Sequence, residues 1–215
     1  MRFLITAGPT REYLDPVRFI SNGSSGRMGL TLARAALRRG HKVTVVLGPV
    51  QARLPQKARI IHVETTEQMA RACFKHFPRA DCLLMAAAVC DYQATKLRRT
   101  KIKKSSAPLS LKLRPTTDIL AELGRRKRHQ LLIGFALETG NARAHALAKL
   151  RKKKLDYIVA NTPVSLASEE IRPIIISADG STESLGWVSK LALARKIIRL
   201  AEAQDLAGRH RGKLK

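Results

Sequence analysis

The chain has 215 residues, 45% hydrophobic and 27% charged, with a formal net charge of +25. This composition excludes a disordered polymer, and the length allows one large core, expected over residues 1–207. No apolar run reaches membrane-spanning length, so no membrane partner is expected. A field this basic attracts polyanions. With only 4% aromatic residues there is no visible platform for stacking bases, so nucleic acid is expected to bind only non-specifically. Cys73, Cys82 and Cys90 are odd in number and lack metal-ligand spacing. They read as reduced thiols of a cytoplasmic protein. The first residues, Met1–Ile5, enter a strand directly and lack the layout of a signal peptide.

Strands and helices alternate along the chain. Phe3–Ala7 reads as the first strand, and the loop after it runs through Gly8-Pro9-Thr10 to Asn22 and Ser24-Ser25-Gly26. A helix is expected over Gly26–Arg39, with Met28, Leu32 and Leu37 on its apolar side and Gly40 as its stop. Val43–Leu47 and Ile60–Val63 read as short strands. Thr65 with Gln68 forms a capping-box pattern that opens a helix to about Phe77. Cys82–Val89 is one apolar run, expected as a central strand. Gln93–Ser106 reads as a mobile basic loop, and Leu109–Leu113 alternates like a half-exposed strand. Thr116 or Thr117 is expected to cap a helix through Gly124. Leu131–Ala136 and Tyr157–Ala160 read as strands around a basic helix, Asn141–Lys152. Ile174–Ser177 and Ser184–Val188 flank the turn Ala178–Ser181 as a hairpin. Ser189 opens a last helix to about Ala203, and the basic tail 208–215 is expected to be disordered. The βαβα order implies a mainly parallel sheet with helices on both faces. The segments 107–114 and 172–188 are expected as antiparallel additions.

The strand, the hydroxyl- and glycine-rich loop and the helix start together form an anion cradle, with Ser24, Ser25 and Gly26 as the phosphate loop. Gly23, Gly26 and Gly29 do not have dinucleotide-fingerprint spacing, and no P-loop sequence is present. Asn22 could donate to a developing oxyanion or simply cap a turn. Lys101, Lys103 and Lys104 are either a solvated charge run or a lid that carries ammonium groups onto phosphates. Asp91 could hold a ribose hydroxyl, a base donor or a metal-bound water. Lys149 and Lys153, spaced i, i+4, share a helical face.

In order along the chain, Leu4–Glu12, Asp15–Asn22, Ser24–Gly29, Ala86–Tyr92, Lys101–Lys104, Thr117–Leu120, Gly134–Thr139 and Lys153–Asn161 resemble the bacterial phosphopantothenoylcysteine synthetase family. The match covers roughly residues 2–200. Tyr13, Cys90 and Leu137 depart from the family's usual Pro, small residue and Ala. The resemblance implies a three-layer, Rossmann-like fold. It further implies a ligase that joins 4′-phosphopantothenate to L-cysteine in coenzyme A biosynthesis. CTP is the implied co-substrate, an acyl-cytidylate the intermediate, and pyrophosphate and CMP the products. Asn22 and Lys101 become the implied catalytic residues. Met85, Ala86, Ala87, Asp91, Lys101, Thr117, Asp118, Ile119, Leu120, Phe135, Lys149 and Lys153 become nucleotide-binding. Mg²⁺ is the expected counter-ion, with its protein ligands unassigned. No flavin is expected in this chain, and the flavin-dependent decarboxylase is expected as a separate chain. A homodimer is implied, with 107–114 as a pairing edge. The opening loop and the lysine flap are expected to meet at one pocket. The competing reading is a basic nucleic-acid-binding module on a degenerate nucleotide fold.

Overall fold

The computed structural model describes residues 1–137, 142–161 and 170–212. Six parallel strands form the centre: β1 (Arg2–Ala7), β4 (Lys42–Leu47), β5 (Arg59–His62), β6 (Cys82–Met85), β9 (Leu131–Leu137) and β10 (Tyr157–Asn161). Between them in chain order lie β2 (Arg11–Tyr13), β3 (Phe19–Ser21), β7 (Tyr92–Ala94) and β8 (Leu113–Pro115). Beyond them come β11 (Glu170–Ile171), β12 (Ile174–Ser177), β13 (Thr182–Ser184) and β14 (Val188–Ser189). The main sheet has eight strands in the order β13-β12-β10-β9-β6-β1-β4-β5. Counted along the chain, its six parallel strands run 3-2-1-4-5-6, the doubly wound Rossmann order. The order reverses between β1 and β6, and this reversal opens a crevice at their carboxyl ends.

Among the described residues five α-helices cover the sheet: α1 (Arg27–Arg38), α2 (Thr66–His76), α3 (Ile119–Arg126), α4 (Ala142–Lys152) and α5 (Lys190–Gly212). Alternation along β1 sends Phe3 and Ile5 to one face and Leu4 to the other. On the first face they meet Leu30 and Ala33 of α1 with Leu193 and Ile197 of α5. On the second, Leu4, Leu83 and Leu132 pack with Met69 of α2, Leu123 of α3 and Leu150 of α4. Each such fully buried Leu, Ile, Phe or Met side chain contributes roughly 1.5–3 kcal/mol. The capping box of α2 forms as expected: Thr65 accepts from the Gln68 N–H, and the Gln68 side chain turns back to the Thr65 N–H.

Several boundaries differ from the sequence reading. The apolar run from Cys82 stops being a strand at Met85. The residues after it leave the sheet and bridge to the loop after β1, with Pro9 beside Ala88. The strand expected at Leu109–Leu113 is instead β8, Leu113–Pro115, paired antiparallel with β7. Residues 95–112 carry neither helix nor strand. The cap of α3 is Asp118 rather than Thr116 or Thr117, because its carboxylate accepts from the Ala121 N–H. β12 and β13 extend the sheet antiparallel, and the second arm of that hairpin is Thr182–Ser184. α5 continues past Ala203 to Gly212, and residues 213–215 of the expected tail lie outside the described residues. Glu138 and Thr139, quoted in the resemblance, also lie outside them.

Candidate functional site at the carboxyl ends of the strands

The segment after β6 is held on several sides. The Ala88 N–H donates to the Gly8 carbonyl at 2.9 Å, and the Thr10 N–H donates to the Ala88 carbonyl at 3.3 Å. The Ala87 N–H donates to Thr6 Oγ1 at 3.1 Å and the Cys90 N–H to Thr10 Oγ1 at 2.9 Å. Thr116 Oγ1 donates to the Cys90 carbonyl at 2.6 Å. A backbone tied this way forms a fixed wall rather than a mobile loop. Asn22 joins it from the hairpin side, with Nδ2 donating to the Val89 carbonyl at 2.9 Å and lying 3.4 Å from the Ala88 carbonyl. Carbonyls can only accept, so the amide is oriented with Nδ2 on the wall and Oδ1 turned away from it.

Two cavities flank this wall, and both touch Ala87 and Phe135. The smaller one, about 180 Å³, is bounded by Ser24, Ser25, Gly26 and Arg27 with Asn161 and the buried Lys190. Gly26 is the N-cap of α1 at φ 70°, a left-handed conformation that suits glycine, and no side chain caps the helix. No acidic residue lies in the first turn of α1. Backbone N–H groups at this end, the helix dipole, Arg27 and Lys190 together favour an anion.

The larger cavity, about 670 Å³, is bounded by Asp91, Thr117, Asp118, Phe135, Lys149 and Lys153 among others. Lys153 Nζ lies 2.9 Å from Asp118 Oδ2. Burial pushes the Asp118 carboxyl up, but the hydrogen bonds from Lys153 and the Ala121 N–H outweigh it and hold the group below its ordinary range. The i, i+4 spacing did place Lys149 and Lys153 in one cavity, with Lys153 in the turn just past α4. Among the described residues no cluster of three or more His, Cys, Asp or Glu could hold a metal alone. Thiol chemistry has no support: burial pushes Cys73 up to about 12, and burial likewise raises Cys82 and Cys90.

The sequence-derived set therefore divides. Met85, Ala87, Asp91, Thr117, Asp118, Ile119, Leu120, Phe135, Lys149 and Lys153 gather at the larger cavity. Ser24, Ser25, Gly26 and Ala86 bound the smaller one on the other side of the wall. Asn22 and Lys101, the two residues expected to be catalytic, are both exposed and line neither, Asn22 lying on the wall itself through its bond to the Val89 carbonyl. The single expected pocket is thus a pair of cavities with a common wall. Lys190 and Asn161 were not singled out by sequence. Lys190 directly follows Ser189 at the start of the last helix, a cap signal that says nothing of a ligand.

Residues 1–204 match the family model described as the DNA/pantothenate metabolism flavoprotein C-terminal domain. The chain is 38% identical over 212 residues to the coenzyme A biosynthesis bifunctional protein CoaBC of Mycobacterium tuberculosis strain H37Rv, covering 92% of this chain and 51% of that protein. It is 43% identical over 204 residues to a prokaryotic protein named cysteine/cysteine sulfinic acid decarboxylase, covering 92% of this chain and 57% of that one. The chain thus spans about half the length of the curated relatives it matches. Among solved structures, the C-terminal domain of a CoaBC protein superposes with a TM-score of 0.82 at 36% identity, covering 94% of each chain. A flavoprotein of the same name as the family, from Streptococcus pneumoniae, superposes at 0.84 with 21% identity, covering 95% of this chain and 99% of that one, a likeness of fold alone. Matched over nearly its whole length by sequence and by fold, the chain belongs to the DNA/pantothenate metabolism flavoprotein C-terminal domain family.

Proposed function

We propose that this chain is a phosphopantothenate–cysteine ligase of coenzyme A biosynthesis, using CTP to activate the acyl group. The observation that carries the reading is the pair of cavities meeting at Ala87 and Phe135. The smaller offers a helix N-terminus, Arg27 and Lys190 to an anion, and the larger carries Asp91, Asp118, Lys149 and Lys153. A ligase of this kind must bring two anionic substrates together at one atom, which requires the two sites to adjoin, as cavities that share Ala87 and Phe135 do. The likeness to CoaBC proteins supports the same assignment.

In this reading the smaller cavity takes 4′-phosphopantothenate, its phosphate on the α1 N-terminus and Lys190. The larger takes CTP, with Asp91 and Asp118 toward sugar or base and Lys149 and Lys153 toward the phosphates. A carboxylate oxygen of the acid attacks the α-phosphorus and pyrophosphate leaves. The cysteine amine then attacks the acyl carbon. CMP leaves with the original carboxylate oxygen, and the amine loses one proton. Asn22 Oδ1, turned off the wall, accepts a hydrogen bond from the incoming amine and aims its lone pair. Lysines offset charge that builds on the phosphates, Lys101 arriving from the flap. Magnesium would be carried in by the triphosphate and would neutralise phosphate charge, since no cluster among the described residues would hold it alone.

Leu109, Leu111 and Leu113 are exposed, as are Tyr92 and Leu97 on the same arm. That apolar edge supports a homodimer, in which the arm pairs with a second copy. Three free buried cysteines suit the cytoplasm. The test is CMP formation from CTP with 4′-phosphopantothenate and cysteine, run beside ATP, GTP and UTP. Cysteine-dependent CMP with little turnover of the others is the expected outcome. Folded protein that makes no cysteine-dependent product refutes the ligase. In that case, salt-sensitive retention of RNA would favour the nucleic-acid module instead.

A further inference from the structure

The turn between β2 and β3 holds a carboxylate with no exposed surface, Asp15. Its two oxygens have separate partners. Oδ1 accepts the N–H groups of Val17 and Arg18, each at 2.8 Å, which closes the turn. Oδ2 accepts Arg18 Nη1 at 2.8 Å and, from 87 residues away, the Ile102 N–H at 2.9 Å. Arg18 Nη1 also donates to the Ile102 carbonyl at 2.8 Å. The Arg98 N–H donates to the Leu14 carbonyl at 3.0 Å, a third tie between the same two segments. The hairpin is itself fixed to the wall: Ser21 Oγ donates to the Thr10 carbonyl at 2.8 Å and Asn22 to the Val89 carbonyl.

A turn needs only one carboxylate oxygen. The second oxygen would be costly to bury without donors, and here its donors come from the flap and from Arg18. We propose that Asp15 is a positioning residue for the flap, holding the Ile102 backbone, and with it Lys101, on the hairpin that carries Asn22. The proposal rests on the reading of Lys101 as a phosphate-facing lysine. The Ile102 N–H is the foremost cause that holds the Asp15 carboxyl far below its ordinary range, with burial opposing it. The tie is therefore charged, and stays made, throughout the neutral range.

Asp15→Asn separates the two jobs. The amide oxygen can still accept from the Val17 and Arg18 N–H groups, while the NH₂ group faces both the Ile102 N–H and Arg18 Nη1, donor against donor. Ile102→Pro removes the flap donor and leaves the Asp15 carboxylate in place, at the cost of fixing φ at 102 and restricting Lys101. Both are compared with Lys101→Gln and with the double variants in the full chain. The readouts are amide hydrogen exchange and the rate of pyrophosphate release. Each tie-breaking variant is expected to speed exchange of amides 98–104 and to slow pyrophosphate release, both by roughly 10- to 100-fold, as for loss of a hydrogen bond to a charged group. Adding Lys101→Gln to either should cost less than it does alone, because both act through one device. Unchanged flap exchange in both variants, or fully additive rate losses, overturns the positioning role. A harmless Lys101→Gln overturns the role of Lys101 and the positioning role with it. Slow release in Lys101→Gln beside normal release in Asp15→Asn and Ile102→Pro overturns the positioning role alone.

Discussion

Gly29, in the first turn of α1, tests how the helix that ends at the smaller cavity is seated. A Cβ built there would lie 2.5 Å from the Ala7 Cβ, 2.8 Å from the Thr6 carbonyl oxygen and 3.0 Å from the Ala7 Cα. Ordinary contact begins near 3.4 Å, so Gly29→Ala must push the helix start off β1 by the better part of an ångström. Two effects of opposite sign compete. Alanine in a helix is favoured over glycine by about 1 kcal/mol. Overpacking against backbone that cannot rotate away costs about 1–3 kcal/mol. The net expectation is destabilisation by about 1 kcal/mol, or a melting temperature lower by about 2–4 °C for a chain of this size. The assay is urea or thermal denaturation of Gly29→Ala beside Gly23→Ala. A Cβ at Gly23 meets nothing within 4 Å, so that variant should change stability by less than about 0.5 kcal/mol. A Gly29→Ala protein more stable than the parent would show that helix propensity wins and that the close seating of α1 on β1 is wrong.

Three further expectations concern the site and its surroundings. Lys190→Met should raise KM for 4′-phosphopantothenate roughly 10- to 100-fold with little change for CTP, and Lys153→Met should do the reverse; one variant moving both constants equally would contradict the division between cavities. Native protein should resist thiol alkylation at mildly alkaline pH, since burial holds Cys73 at about 12 and raises Cys82 and Cys90. Rapid labelling without unfolding would contradict the buried assignment. Acid should weaken the fold through Asp81. Burial pushes its carboxyl up, but Arg2 more than offsets this, with its N–H at 2.7 Å and Nη2 at 2.7 Å, so the folded value lies below the ordinary one. The stability it contributes is therefore full above the ordinary carboxylate range and lost as pH falls through the folded value. The urea midpoint should drop on acidification, less so in Asp81→Asn. An identical acid response in that variant would remove Asp81 from the account.

The parallel core was legible because its signals are local and repeated. Apolar runs marked β1, β4 and β9, and Thr65 with Gln68 marked the start of α2. The hairpin β2–β3 was not, because each arm is three residues long and Arg11-Glu12-Tyr13 has no apolar alternation. Its turn depends on Asp15 accepting two backbone N–H groups, a pattern visible only once the chain is folded. Ala86–Val89 looked like more strand because composition does not reveal that its hydrogen bonds go to the loop after β1. At the site, the motif residues were identifiable, but their division between two cavities depends on which face of the wall each one borders. Lys190 had no distinguishing mark among 41 lysines and arginines, and only its burial at the cavity separates it from a surface charge.

The central claim is that an acyl group is activated on the α-phosphorus of a nucleotide and handed to an amine where the two cavities adjoin at Ala87 and Phe135. Turnover with 4′-phosphopantothenate labelled with ¹⁸O at both carboxylate oxygens tests this directly. Mass spectrometry of the products should find one ¹⁸O in each CMP and none in pyrophosphate. Unlabelled CMP, or label in any other phosphorus product, would contradict it.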